Sequence, residues 1–168
     1  TAAEEVAREV GSSDIAYVQV EAVLAQCDLF LNEGAALQEK TQKAQKSWAQ
    51  KEQNLQAEAA QLQEKYQKGL ITTNDAQAQQ QSIEKRVASY QSSAQKEAQA
   101  LDEENYVFTN RAQDLLHRAV QEINGDKKYK LIINATALID ADSTLNITPA
   151  VLAKVNELYA ADKKAVKK

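Results

Sequence analysis

The sequence predicts a mainly α-helical protein with a small β body, in the order strand, long antiparallel coiled-coil hairpin, strands and short C-terminal helix. Three observations carry this. First, Ile83, Val87, Tyr90, Ala94, Ala98, Leu101, Asn105, Phe108, Ala112, Leu115, Ala119 and Ile123 follow one another at steps of three or four, an almost unbroken coiled-coil seam. Second, runs of β-branched and aromatic residues occur only outside this stretch, at Ile15–Val20 and Tyr129–Ala135. Third, the 43% apolar content is inflated by alanine, with 5% aromatic residues and no Met in 168 residues. A middle built of Ala, Gln, Glu and Lys suits long helices, because these side chains lose little freedom on entering one.

Taken in order, residues 1–13 are Ala/Glu-rich, end in Gly11-Ser12-Ser13 and are expected to be a flexible tether. Ile15-Ala16-Tyr17-Val18-Gln19-Val20 reads as a strand. Glu21 opens a helix with a wide apolar face, Leu24, Cys27 and Leu31 on one line and Val23, Phe30 and Leu37 on the next, as a helix facing a core requires. Near its exit, Asn32 and Gly34 either let the helix bend or cap a restart. The outgoing half of the hairpin carries a thinner seam of Ala44, Trp48, Leu55, Ala59, Leu62 and Tyr66. Its tip falls at 68–74, where Gly69 suits a left-handed helix end and Thr73 or Asn74 a new cap, with Asp75 in the first turn. Helices of roughly 40 residues each would make an arm on the order of 60 Å long. Asn124-Gly125 ends the return helix. Thr136–Ile139 continues the next strand or forms another short one, and Asp140–Ser143 is a turn. Thr148-Pro149 reads as a capping hydroxyl followed by proline at the first helical position. The expected organisation is a body of 14–34 plus 112–161, an arm of 35–111, and a basic tail of 162–168.

The net charge of −4 and pI near 5.2 argue against nucleic acid as a partner, which needs a clustered cationic face. No apolar run is long enough to span a bilayer, the first residues lack the charged-then-apolar pattern of an export signal, and any targeting segment would lie upstream of Thr1. One cysteine excludes an internal disulfide and a multi-cysteine metal site. Cys27 lies on the Leu24–Leu31 line as a small buried hydrophobe, and His117 has no catalytic partner at a useful spacing. Asn134-Ala-Thr136 and Asn146-Ile-Thr148 are glycosylation sequons by pattern alone. No enzyme signature, metal cluster, nucleotide loop or cofactor motif is present.

The segment Ser13–Leu24, beginning Ser13-Asp14-Ile15-Ala16-Tyr17-Val18, with Leu131-Ile132-Ile133-Asn134-Ala135 and Asn146-Ile147-Thr148-Pro149-Ala150-Val151-Leu152-Ala153-Lys154-Val155-Asn156, resembles the Skp/OmpH family of periplasmic chaperones. The resemblance covers Asp14 to Leu158; at its second motif Asn146 stands where the family commonly has an acidic residue. It implies a jellyfish-like homotrimer, with a shared β body and helical arms around a cavity. Such a protein is an ATP-independent holdase for unfolded outer-membrane or other exported proteins in the periplasm of a Gram-negative bacterium. The best-known members have strongly basic arms. Here the bases from Lys40 to Lys96 are offset by acids from Glu33 to Glu97, which leaves membrane-surface contact open.

Candidate client contacts are Tyr66, Leu70, Ile71 and Tyr90, although Tyr66 and Tyr90 equally suit the hairpin seam. Candidates for the oligomeric body are Ile15, Tyr17, Val18, Val20, Leu131 and Ile133. Competing readings are a structural coiled-coil adaptor and a polymerase-type coiled-coil finger. The finger wants several tip carboxylates, whereas Asp75 stands nearly alone. A prefoldin-like chaperone would place its strands between the helices, not outside them.

Overall fold

A computed structural model describes residues 14–167; the expected N-terminal tether, 1–13, lies outside the described residues. The elements are strand β1 (Ile15–Val18), helix α1 (Val20–Gln26), a π-helical turn (Phe30–Gly34), helix α2 (Ala35–Gln67), helix α3 (Thr73–Ile123), strand β2 (Leu131–Asn134) and helix α4 (Thr148–Val166). Single turns of 3-10 helix occupy Ala135–Ala137 and Ser143–Leu145. This is the mainly helical, small-sheet architecture that the sequence predicts. Two compact units result, one made of residues up to Ala36 and from Tyr106 onward, the other of Leu37–Asn105.

In the first unit, β1 and β2 pair in parallel, Ile15 beside Leu131 and Tyr17 beside Ile133. Parallel strands need a long crossover, and here everything from α1 to α3 serves as one. Alternation sends Ala16 and Val18 into the core, at 0% and 2% exposure, and leaves Ile15 and Leu131 on the outer face. The core is completed by Val23, Cys27 and Leu29, by Leu115, Ala119 and Ile123 of α3, and by Ile147, Val151, Val155 and Tyr159 at α4.

Several local features depart from the sequence reading, each for a nonlocal or side-chain reason. The first helix breaks at Cys27, which is extended (φ −69°, ψ 153°), and the chain restarts where the Asn156 side chain accepts the Asp28 N–H at 2.8 Å. Neither a simple bend nor an Asn32 cap therefore describes this point. The break shifts the helical phase, so Leu29 is buried and Leu31 is 57% exposed. Gly34 serves close packing: a Cβ there would lie 2.9 Å from Phe108 Cζ, and Phe108 in turn packs on Phe30 with ring centroids 6.4 Å apart. That packing, with the Arg111–Glu33 pair, gathers Tyr106–Arg111 into this unit although the sequence assigns them to the arm.

The left-handed residue after α3 is Lys127 (φ 52°), not Gly125. Asn124 orders this loop by accepting the Tyr129 N–H and donating to its carbonyl, both at 3.0 Å. Thr136–Ile139 is no strand, because the Asn134 side chain accepts the Thr136 N–H and turns the chain into 3-10 helix. Thr148 does not cap α4; its hydroxyl accepts the Gln19 N–H at 2.9 Å, tying the end of β1, while Asn146 accepts the Thr148 N–H at 3.0 Å. The basic tail is helical as far as Val166, held by Arg118 donating to both Asp162 oxygens at 2.9 and 3.2 Å.

The second unit is an antiparallel pair formed by the outer parts of α2 and α3. Its turn is a Schellman motif: Gly69 (φ 69°) donates to Tyr66, and Leu70 donates to Lys65. Thr72, rather than Thr73 or Asn74, caps α3 by accepting the Asp75 N–H at 3.1 Å.

Candidate functional site

Within the hairpin unit, Ala44, Leu62, Ile83 and Leu101 are buried, whereas Trp48, Leu55, Ala59, Val87, Tyr90, Ala94 and Ala98 are only half-buried. A two-helix seam covers each side chain from one direction only. Polar contacts lace its edges. Arg86 donates to both Glu58 oxygens, Lys40 pairs with Glu104, and the Trp48 indole N–H donates to Glu97 at 2.7 Å. The Arg86 hydrogen bonds hold the Glu58 carboxyl below its ordinary range. These pairs are solvent-exposed, so they set register more than they stabilise.

The four contact candidates separate clearly. Tyr90 is half-buried, and its hydroxyl donates to the Trp48 carbonyl at 3.0 Å, so its phenol is committed to the hairpin. Ile71 is also half-buried. Tyr66 and Leu70 are 50% and 69% exposed. Continuing the α3 seam outward from Ile83 in the same steps puts Gln80, Ala76 and Thr73 opposite Leu62 and Tyr66. These side chains are too small or too polar to close the seam. A cavity of about 500 Å³ remains between the helices beside the turn.

In the first unit, the outer face of the sheet carries Ile15 and Leu131, 45% and 51% exposed, with Tyr17 and Ile133 half-buried beside them. Along the sheet a cavity of about 200 Å³ is lined by Val18, Val20, Leu116, His117, Ile132 and Ile133. Of the body candidates, Val18 belongs to the core of the first unit rather than to the outer sheet face. Sequence reasoning missed Tyr106 and Val107, exposed by 70% and 56%. A signal existed: Tyr106, Thr109, Gln113, Leu116 and Val120 form a second three-and-four stripe beside the main seam.

Among the described residues, no group of three or more His, Cys, Asp or Glu could hold a metal ion. His117 is exposed, and Cys27 is buried with its thiol donating to the Leu24 carbonyl at 3.4 Å. No helix among the described residues is long and apolar enough to cross a membrane.

A family model described as outer membrane protein (OmpH-like) matches residues 14–155. No curated protein matches the sequence. A crystal structure from Caulobacter crescentus CB15, provisionally described as an outer membrane chaperone (OmpH-like), aligns with a TM-score of 0.73 at 16% identity, covering 88% of this chain and 86% of its own. That identity speaks for the fold alone. The family match spans β1, both long helices, β2 and the start of α4, and on it this chain belongs to the OmpH-like outer membrane protein family.

Proposed function

We propose that the protein is an ATP-independent holdase that binds unfolded outer-membrane or other exported proteins in the periplasm of a Gram-negative bacterium. In this reading it acts as a homotrimer, the outer sheet faces of three copies meeting and their hairpins surrounding the client. The observation that carries it is the amount of large apolar side chain exposed to solvent among the described residues. Ile15 and Leu131 on the sheet, Tyr106 and Val107 on α3, and Tyr66 and Leu70 by the turn are all exposed. Contacts of this kind are individually weak and replaceable, and their sum within one enclosure retains a chain that has no fixed shape. The alternative of a structural coiled-coil adaptor predicts a partner with defined shape and no effect on unfolded chains.

The test is light scattering of an outer-membrane protein diluted from urea, with and without the protein. Suppression that persists with EDTA and without nucleotide supports the holdase reading. Undiminished aggregation at excess protein would remove it.

A further inference from the structure

The cavity beside the hairpin turn is a built slot whose chemistry can be read from its lining. One wall is Ala59, Leu62 and Tyr66 of α2; the other is Ala76, Gln77 and Gln80 of α3, with Gln63 and Thr73 completing the rim. Every lining residue is uncharged, although Glu64, Lys65, Lys68 and Asp75 lie nearby in sequence. The floor is apolar and the rim is made of carboxamides and a hydroxyl. The slot stays open because Tyr66, the one side chain large enough to fill it, is half exposed, and Ala59 and Ala76 offer only methyl groups.

This lining selects among occupants. The slot's eight lining residues are far fewer than the roughly 20–30 a side that a stable protein interface uses, so the slot by itself is sized for a side chain. A charged side chain would meet no opposite charge among the lining residues, and the Glu84 carboxylate behind the rim is already taken by the Gln80 amide at 3.1 Å. A flat aromatic ring can lie on Leu62 and the alanines, meet the Tyr66 ring, and present an indole N–H or phenol O–H to a glutamine carbonyl. We infer that this slot is a subsite for single aromatic side chains of the unfolded client. Outer-membrane strands end in girdles of aromatic residues, so such clients offer this group repeatedly. The inference rests on the holdase reading and adds a chemical preference to it.

The probe is N-acetyl-tryptophanamide, with N-acetyl-leucinamide and N-acetyl-lysinamide as controls, titrated into the full-length 15N-labelled protein. The tryptophan amide should saturably shift the backbone and side-chain amides of Gln63, Gln77 and Gln80, and the lysine amide should not. Ala76→Leu fills the slot while keeping a good helix former, and should abolish those shifts without changing oligomeric mass. Ala59→Leu, from the opposite wall, should do the same. Equal shifts with the leucine amide, or shifts that survive both substitutions, overturn the inference, as does an altered oligomeric mass in the filled variants, which would make the slot a contact between copies. If the wild-type protein suppresses aggregation but the tryptophan amide does not bind, the inference alone fails. If the amide binds but no client is held, the holdase reading fails and the client subsite falls with it.

Discussion

Val18 and Leu131 are both apolar strand residues, yet substitution should have opposite consequences. Val18 is 2% exposed in the protomer's core, so Val18→Asp buries a carboxylate with no partner, at about 3–5 kcal/mol, and should unfold the first unit. Leu131 is 51% exposed on the outer sheet face, where the proposed homotrimer brings its copies together, so Leu131→Asp should leave the circular dichroism of the single chain unchanged and lower the mass seen by sedimentation equilibrium. A variant that keeps the wild-type mass would show that this face is not where copies meet. Gly34 gives a second contrast. Alanine would gain about 1 kcal/mol in helix propensity, but a Cβ 2.9 Å from Phe108 Cζ costs about 1–3 kcal/mol through overpacking. Gly34→Ala should therefore lower the melting temperature, and should do so less, or not at all, in a Phe108→Leu background. Charge behaves as linkage requires. Hydrogen bonds from Arg111 hold Glu33 low, and those from Arg118 hold Asp162 low. Carboxyls depressed in the folded state add stability above their unfolded pKa, and that contribution is lost as pH falls through the folded value. Replacing Arg111 and Arg118 by Ala should flatten the acid limb of a melting-temperature profile below about pH 4.5 and leave its slope near pH 7 unchanged.

At the scale of elements, legibility follows how local the cause is. The α3 seam was readable because its periodicity lies in consecutive residues, and the positions from Ile83 to Ile123 that it names are buried or half-buried except Asn105. Gly69 was equally readable, since a left-handed helix end is a one-residue requirement. The break at Cys27 was not, because the side chain that stabilises it, Asn156, lies on another helix. Thr148 looked like a cap for the same reason: its hydroxyl serves Gln19 of the far segment. Of the site, the exposed Tyr66 and Leu70 were visible as candidates, but the slot was not, because a void depends on what the opposite helix fails to supply. The seam's gradient also sets dynamics. Leu115 and Ala119 join a core fed by several elements, whereas near the turn the seam falls to Ala76 and Gln80. A fully buried leucine contributes about 1.5–3 kcal/mol, so the turn end should open far more often. Amide exchange should be fast around Gly69 and slow around Leu116; uniform protection along α3 would contradict the gradient.

For the whole molecule, the proposed function separates what assembles from what holds, and the register of the hairpin allows that separation to be tested. Lys40 pairs with Glu104 and Arg86 with Glu58, so removal of matched stretches should keep partner layers opposite one another. Deleting Lys46–Ala59 together with Lys85–Ala98 takes two heptads from each helix. It brings Leu62 four positions after Ala44, and Ile83 four before Leu101, so both seams stay in phase and the native turn is kept. The shortened protein should fold and sediment at the same number of copies as the wild type, because none of the first unit's core residues is removed. Its capacity should fall, because holding by many weak contacts scales with the enclosure and not with any one residue. In the light-scattering assay it should protect short clients better than long ones, with the loss growing as client length increases. Equal protection across all lengths would mean that the removed layers contribute nothing to holding, and the enclosure mechanism would have to give way to binding on the first unit alone.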